Sequence, residues 1–219
     1  MNIIKPSYHY IEVLTKTEFE GINSSIKDEM AIPSYTHKNP LIRCLMWKRY
    51  ETIFKMAKLN NTQVVYEFGC GIGLFLPTLF RYSKTVYATD IYPQFAKKLC
   101  HDYNLEISFV NSIEEIKEDL DTIICADVLE HIEDIKPLIV KWHKKLKKDG
   151  TLIISGPTEN FLYKFGRFIA GFSGKGDYHV HNIKDILETV KSHGYKLKTQ
   201  KSLPVRPLEL FRILKFTRA

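Results

Sequence analysis

Residues Val64 to Gly73 read V-V-Y-E-F-G-C-G-I-G, a β-type apolar run that breaks into three alternating glycines. A strand that opens into such a turn needs positive φ and close approach of backbone to ligand, and side chains at 69, 71 and 73 would oppose both. The pattern therefore predicts an open α/β sheet whose first strand feeds a phosphate- or nucleoside-binding turn. The dinucleotide pattern G-x-G-x-x-G is not met, because Leu74 stands where its third glycine would be. An acidic residue, Glu67, precedes the first glycine by two positions instead.

Four further runs follow in the order such a sheet requires. Thr85 to Thr89 ends in Asp90, Glu106 to Val110 in Asn111-Ser112, and Asp121 to Cys125 in Ala126-Asp127 followed by V-L-E-H-I. A fifth, Thr151 to Ser155, comes after the Lys147–Gly150 turn. Strand ends on one edge of a parallel sheet share a crevice, so these separated segments converge on one ligand. A carboxylate at the end of the second strand, as at Asp90, can accept both hydroxyls of a ribose. Between the strands, Asp134 to Lys148 carries Ile135, Leu138, Ile139, Trp142 and Leu146 on one face and reads as a crossover helix. Asn182 to His193 reads as a helix with an Asn cap and Gly194 after it, and Tyr195 to Ser202 and Leu208 to Thr217 as two closing strands. In the first 60 residues, Leu41, Ile42, Leu45, Met46, Ile53 and Phe54 fall at helix spacing, with Pro33 and Pro40 as breaks, and predict a helical cap over the crevice.

The E-x-G-x-G-x-G turn, Asp90 and the strand-four sequel C-A-D-V-L-E-H-I together resemble the motif series of the class I S-adenosylmethionine-dependent methyltransferases, over residues 64 to 160. The resemblance implies a Rossmann-like α/β fold with a seven-stranded sheet in the order 3-2-1-4-5-7-6, strand 7 antiparallel. It implies S-adenosylmethionine as cofactor, with Glu67, Gly69, Cys70, Gly71 and Gly73 shaping the methionine end, Asp90 and Ile91 at the ribose side, Asn111 and Ser112 beside the adenine, and Asp127 near the sulfonium. Many relatives carry Asp where this chain has Asn111, whose side-chain oxygen can still accept from the adenine amino group. Asp127, Glu130 and His131 also match positions that hold a divalent ion in some relatives. The plainer expectation is that Glu130 and His131 cap and orient the following helix with no metal. The expected organisation is one methyltransferase domain: a cap over 1–60, a cofactor-binding core over 61–160, an insertion over 161–181, and a C-terminal helix with closing strands over 182–219.

Composition agrees with one core: 219 residues with 44% hydrophobic content can bury one sizeable interior. No apolar run approaches the about 20 residues that span a bilayer, and the first residues lack a signal peptide's apolar stretch, so a cytoplasmic location is expected. The four cysteines form no C-x-x-C pair, which argues against a zinc site or a disulfide framework. The net charge of +7 sits largely on lysines of apparent helix faces, among them Lys141, Lys144, Lys145, Lys147 and Lys148. Without an aromatic-basic recognition motif it favours solvated faces over a nucleic-acid partner.

The segment Phe161 to Phe172 places Phe161, Leu162, Phe165, Phe168, Ile169 and Phe172 at helix spacing with Lys164 and Arg167 between them. Two readings stay open: a lid packing its aromatics onto the domain, or an interfacial helix giving peripheral membrane contact. Its position before the last helix, followed by K-G-x-x-H, resembles the ubiquinone-biosynthesis O-methyltransferases and implies a small, lipophilic, hydroxylated acceptor. Methylation of a sugar or cell-envelope glycan, or a binding module without catalysis, are the alternatives. A general base is required if the acceptor is a neutral hydroxyl, and His131, His179 and His181 are the candidates.

Overall fold

The computed structural model describes residues 2–158, 180–205 and 209–219. Seven strands form one sheet: β1 (Val64–Phe68), β2 (Thr85–Thr89), β3 (Ser108–Phe109), β4 (Leu120–Ala126), β5 (Leu146–Pro157), β6 (Tyr195–Leu203) and β7 (Phe211–Arg218). Their order is β3-β2-β1-β4-β5-β7-β6, parallel throughout except β7, which runs antiparallel to β5 and β6. This is the class I methyltransferase sheet that the motif series implies. The register places Glu67 between Ala88 of β2 and Ile124 of β4, so the last residues of β1 lie in the middle of the sheet's carboxyl edge.

Both faces of the central strands are covered, which explains their near-continuous apolar sequences. On one face Val65, Val86, Ala88, Ile124, Ile153 and Ile213 join a core with α1 (Tyr8–Lys16), α3 (Ile32–Tyr35), α4 (Pro40–Ala57), α5 (Leu76–Tyr82) and α6 (Gln94–Asp102). Opposite, Tyr66, Ile123, Cys125, Leu152, Ile154, Leu214 and Phe216 pack with α7 (Lys136–Lys145) and α8 (Ile183–Ser192). A short α2 (Ser24–Glu29) links α1 to α3. The N-terminal helices thus share the core of the sheet rather than standing apart from it. β6 forms one edge, and its exposed Lys196, Lys198 and Lys201 discourage pairing with another chain's strand.

Several boundaries differ from those read in the sequence. The helix expected over 134–148 is Lys136–Lys145, because Leu146 already pairs with Leu120 of β4 and Asp149 turns at φ 61°. The third strand shrinks to Ser108–Phe109, the two residues that pair with β2 at the sheet's edge. Pro33 and Pro40 do not merely interrupt helices: each sits in the first turn of one, where its missing N–H costs nothing. In α4, Leu41 is 75% exposed. The buried stripe is Met46, Arg49, Tyr50, Ile53, Phe54 and Ala57, which puts a guanidinium where the apolar pattern had no place for one. The α8 cap holds as read: Asn182 accepts from Lys184 and Asp185 N–H, Asp185 returns the bond to the cap, and Gly194 follows at φ 84°. The aromatic segment 161–172 and His179 lie outside the described residues.

Trp142 of α7 is fully buried and meets Phe68 edge-on, with ring centroids 5.3 Å apart. Trp142→Ala is expected to cost about 3–5 kcal/mol. Thermal unfolding checks this; an unchanged melting temperature would contradict the packing.

Candidate active site

The turn after β1 is built by backbone constraint. Gly69, Gly71 and Gly73 have φ of 73°, 54° and 80°. A Cβ at Gly69 would stand 2.2 Å from Val128 Cγ2, and one at Gly73 2.9 Å from Ala96 Cα. A Cβ at Gly71 would meet nothing within 4 Å, so at this glycine the space belongs to the crevice. The N–H groups of Gly69 and Cys70 both donate to the Thr89 carbonyl, at 2.8 and 3.0 Å, and that of Gly73 to Cys70. Gly71 N–H donates to Asp90 Oδ2 at 2.6 Å, while Asp90 Oδ1 accepts from Tyr92 N–H.

These donors are therefore committed to protein acceptors, and a carboxylate stands beside them. A phosphate wants the reverse, namely free N–H groups and no nearby anion. The turn fits a nucleoside without a phosphate, and Asp90 is not the cap of α6, a place held by Pro93. Beyond it Ile91 is 85% exposed, an apolar side chain set at the mouth of the crevice. Asn111 is exposed and braced by Glu115, which accepts from both its backbone N–H and its Nδ2. Ser112 precedes the 3-10 turn Ile113–Glu115.

The other wall comes from β4 and α4. Asp127 adopts φ 56°, uncommon for a residue with a side chain and a mark of local strain held by its surroundings. Its carboxylate accepts from Ser155 Oγ at 2.7 Å and pairs with Arg49 Nη1, and its N–H donates to Ser155 O. Arg49 is 3% exposed, donates to Tyr35 Oη at 2.9 Å and packs over the rings of Tyr50 and Phe211. Burial opposes its charge, but Tyr35, Tyr50 and Glu130 more than offset this and hold it protonated. Glu67, 1% exposed, has an Oε2 that meets no hydrogen-bond partner among the described residues. Burial first, and then repulsion from Asp90, push its carboxyl up to about 8 against the pull of Arg49.

The acidic groups Glu67, Asp127 and Glu130 thus face the buried guanidinium of Arg49, with Asp90 on the far side of Glu67, so an acidic centre lies inside a basic chain. It suits a ligand that brings its own cations. The structure brings Glu67, the glycines, Asp90 and Asp127 to one crevice and adds Arg49, Ser155 and Val128, which the sequence reading did not name. The available signal was an arginine at helix spacing from Met46 and Ile53, on the face that the flanking residues bury.

The histidines stand differently from their expectation. His181 Nε2 lies 2.9 Å from the Glu133 carbonyl, which can only accept, so this nitrogen carries a proton and serves as a brace. His131 is exposed, at the end of the 3-10 turn Leu129–His131. The ligand set Asp127, Glu130 and His131 is not assembled: Asp127 faces Arg49, Glu130 is buried beside Gly156, and His131 is exposed. No group of three His, Cys, Asp or Glu among the described residues could hold a metal ion. A separate cavity of about 390 Å³, lined by Asn2, Ile3, Lys5, Glu51, Phe54 and Lys55, contains none of the crevice residues.

A family model described as a methyltransferase domain matches residues 66–152, which holds the glycine turn, Asp90 and Asp127 but not Arg49 or Ser155. In this matched domain and in its sheet order the chain is similar to the S-adenosylmethionine-dependent methyltransferases. The open space at Gly71 and the Glu67 oxygen without a partner among the described residues fit the S-adenosylmethionine that the motif series implies. The chain is 26% identical over 173 residues to a ubiquinone biosynthesis O-methyltransferase of Rickettsia typhi, covering 74% of this chain and 70% of the relative. With the protein of that name from Rickettsia canadensis it is 27% identical over 186 residues, covering 77% and 76%. The crystal structure of the N-methyltransferase NodS from Bradyrhizobium japonicum WM9, in complex with S-adenosylhomocysteine, superposes with a TM-score of 0.65 at 17% identity over 96% of this chain and 97% of its own. That likeness establishes the methyltransferase fold.

Asp90→Ala removes two bonds that shape the turn and a carboxylate at the ligand, worth about 3 kcal/mol together, or roughly a hundredfold in Kd. Calorimetric titration with S-adenosylhomocysteine checks it; wild-type affinity in the variant would show that Asp90 faces no ligand. Glu67 makes a second, pH-dependent expectation. Between the ordinary carboxylate range and about 8 the folded protein holds a proton that the unfolded chain has lost, so stability falls as pH rises through that window. Glu67→Gln keeps the size without the titration, so it should gain on the wild type from about pH 5 to about pH 8 in urea unfolding. Parallel stability curves for the two proteins would count against a buried neutral acid.

Proposed function

We propose that this methyltransferase transfers the methyl group to the oxygen of a small, lipophilic, hydroxylated acceptor such as a quinol or phenol. The observation that carries the reading is the reach of the similarity to O-methyltransferases. It extends over 173 and 186 residues, about twice the 66–152 span of the methyltransferase-domain match, and so takes in parts of the chain beyond the cofactor motifs. The aromatic groups Tyr35, Tyr50 and Phe211, gathered around Arg49 on the α4 side of the crevice, are compatible with a ring-bearing acceptor.

In this assignment Glu67 and the turn from Gly69 through Cys70 and Gly71 to Gly73 receive the methionine end, and Arg49, held by Asp127 and Tyr35, supplies a fixed positive charge behind them. Asp90 binds the ribose hydroxyls and Ile91 covers the sugar side. Asn111 and Ser112 flank the adenine, and Asp127 stands toward the sulfonium. The cofactor supplies an activated methyl group with a good leaving group, so the protein's task is chiefly alignment and exclusion of water. Holding the acceptor oxygen in line can contribute about 7–11 kcal/mol. A neutral hydroxyl must lose its proton as it attacks. His131, on the loop that begins at Asp127, is the base assigned here, because His181 already spends Nε2 on Glu133. The cap over 1–60 and the insertion over 161–181 carry acceptor selection, within one domain.

The test is release of S-adenosylhomocysteine with a panel of phenols and quinols, sugars and amines. Turnover of the first class supports the proposal, and turnover confined to sugars or amines overturns it. His131→Ala is expected to lower kcat by about 10²–10⁴ and to remove the inflection in the imidazole range from the pH profile of kcat/KM. If the variant keeps that inflection, His131 is not the base.

A further inference from the structure

We propose that the outer end of the sheet, where β6 and β7 meet the C-terminal end of α4, is a docking surface for an anionic lipid bilayer, held by the charge of its lysines. Such docking is independent of what the crevice methylates.

Charge is spread unevenly along the chain. Residues 195–219 hold seven lysines and arginines against one acid, Glu209, so +6 of the net +7 falls in this stretch. Neither β6 nor β7 contains an acidic residue. The two arginines of β7 are spent on protein acceptors: Arg212 on Glu209, at 2.5 and 2.9 Å, and Arg218 on the Leu146 carbonyl. The lysines are not spent in this way. Lys196, Lys198 and Lys201 of β6 are exposed and form no ion pair among the described residues.

The register gathers them with two further cations. Lys196 stands opposite Thr217, Thr199 opposite Lys215, and Lys201 opposite Ile213. Directly opposed residues share a face, and Ile213 lies in the core with α4, so Lys196, Lys201 and Lys215 are on the α4 side. There Lys215 Nζ donates to the Met56 carbonyl at 2.8 Å and meets the charge of Lys58, the exposed left-handed cap of α4. Alternate residues of a strand lie about 7 Å apart, within the Debye length of about 10 Å at 0.1 M salt, so the fields of these lysines add. Protection of a sheet edge explains lysines on β6. It does not explain Lys215, which lies on an inner strand, where burial and Lys58 both oppose its charge and no carboxylate pairs with it among the described residues.

The side chains present select the occupant. Specific recognition of nucleic-acid phosphates favours the planar fork of arginine, and single strands need aromatic platforms for their bases. Here the arginines are engaged, and Tyr195 and Phe216 are buried. Neither strand presents a large exposed apolar side chain to a protein partner. What remains is a row of compact, hydrated point charges on an outer edge. A bilayer with anionic headgroups requires only that, each lysine near its plane contributing about fivefold in affinity.

The experiment is co-sedimentation of the full chain with vesicles of phosphatidylcholine, without and with phosphatidylglycerol, at low and high salt. A β6 pair, Lys196→Glu with Lys201→Glu, is compared with a control pair, Lys144→Glu with Lys148→Glu, which changes the net charge equally at exposed lysines of α7 and the start of β5. Affinity for S-adenosylhomocysteine reports that each variant is folded, and Lys→Gln pairs replace any that is not. The expected result is wild-type binding to phosphatidylglycerol vesicles alone, release at high salt, and at least about twenty-fivefold weaker binding in the β6 pair, with the control pair within about fivefold of the wild type. A wild type that ignores both kinds of vesicle overturns the proposal. So does binding that survives high salt or extends to phosphatidylcholine, and so do equal losses in the two pairs. Tighter binding to a duplex RNA than to the vesicles, abolished in the β6 pair, overturns it in favour of a nucleic-acid surface.

Discussion

The Thr89 carbonyl accepts from both Gly69 and Cys70, and Asp90, the next residue, accepts from Gly71. With these bonds the end of β2 holds the turn after β1, and everything that faces the cofactor takes its position from that hold. The tie requires a parallel β1–β2 pair in the observed register, Phe68 against Thr89, and a turn at positive φ that glycine adopts without penalty. It also decides chemistry. By committing the N–H groups of Gly69, Cys70, Gly71 and Gly73 to protein acceptors and setting a carboxylate among them, it takes away much of the anion-binding potential of a strand–turn–helix unit. Val128 fills the place that a side chain at Gly69 would take, so the loop after β4 is seated against the same turn.

Charge balance is the second constraint. The chain carries +7, yet its crevice concentrates carboxyl groups around Arg49. Lysines on the β6 edge and on α7 keep the molecule basic without altering the site, because exposed charges more than about a Debye length away are screened. Inside, where screening is weak, each carboxyl must be paired, hydrogen-bonded or neutral. Asp127 is paired and hydrogen-bonded, Asp90 is bonded to two N–H groups, and Glu67 is pushed toward neutrality.

The sheet and its cofactor edge were legible in the sequence for a physical reason: parallel strands buried on both faces must be apolar, and the turn between β1 and α5 must be glycine. Strand order beyond alternation came through the resemblance, since no local pattern encodes which strand lies beside which. The boundaries at β3 and α7 were not legible, because pairing partners set them: β3 extends only as far as it pairs with β2, and Leu146 leaves its helix to pair with β4. His181 was read as a candidate base, and its contact with Glu133, 48 residues away, could not be seen in a spacing.

Arg49 shows most clearly why a site outruns its motif. On the apolar stripe of α4 it breaks the hydrophobic pattern, and a charged residue on a buried helix face signals a partner elsewhere in the chain. Removing such a partner from a buried pair costs several kcal/mol, so the pair holds α4 to the loop after β4 as firmly as packing does. The same stripe carries Tyr50, stacked on Phe75 of the motif turn at 4.7 Å, and Met46 and Ile53 in the common core. A helix that supplies a charge to the cofactor crevice and an aromatic face beside it cannot drift without disturbing both. The charge at the crevice and the aromatic face beside it are therefore mechanically linked through α4, although only the glycine turn is written in a recognisable motif.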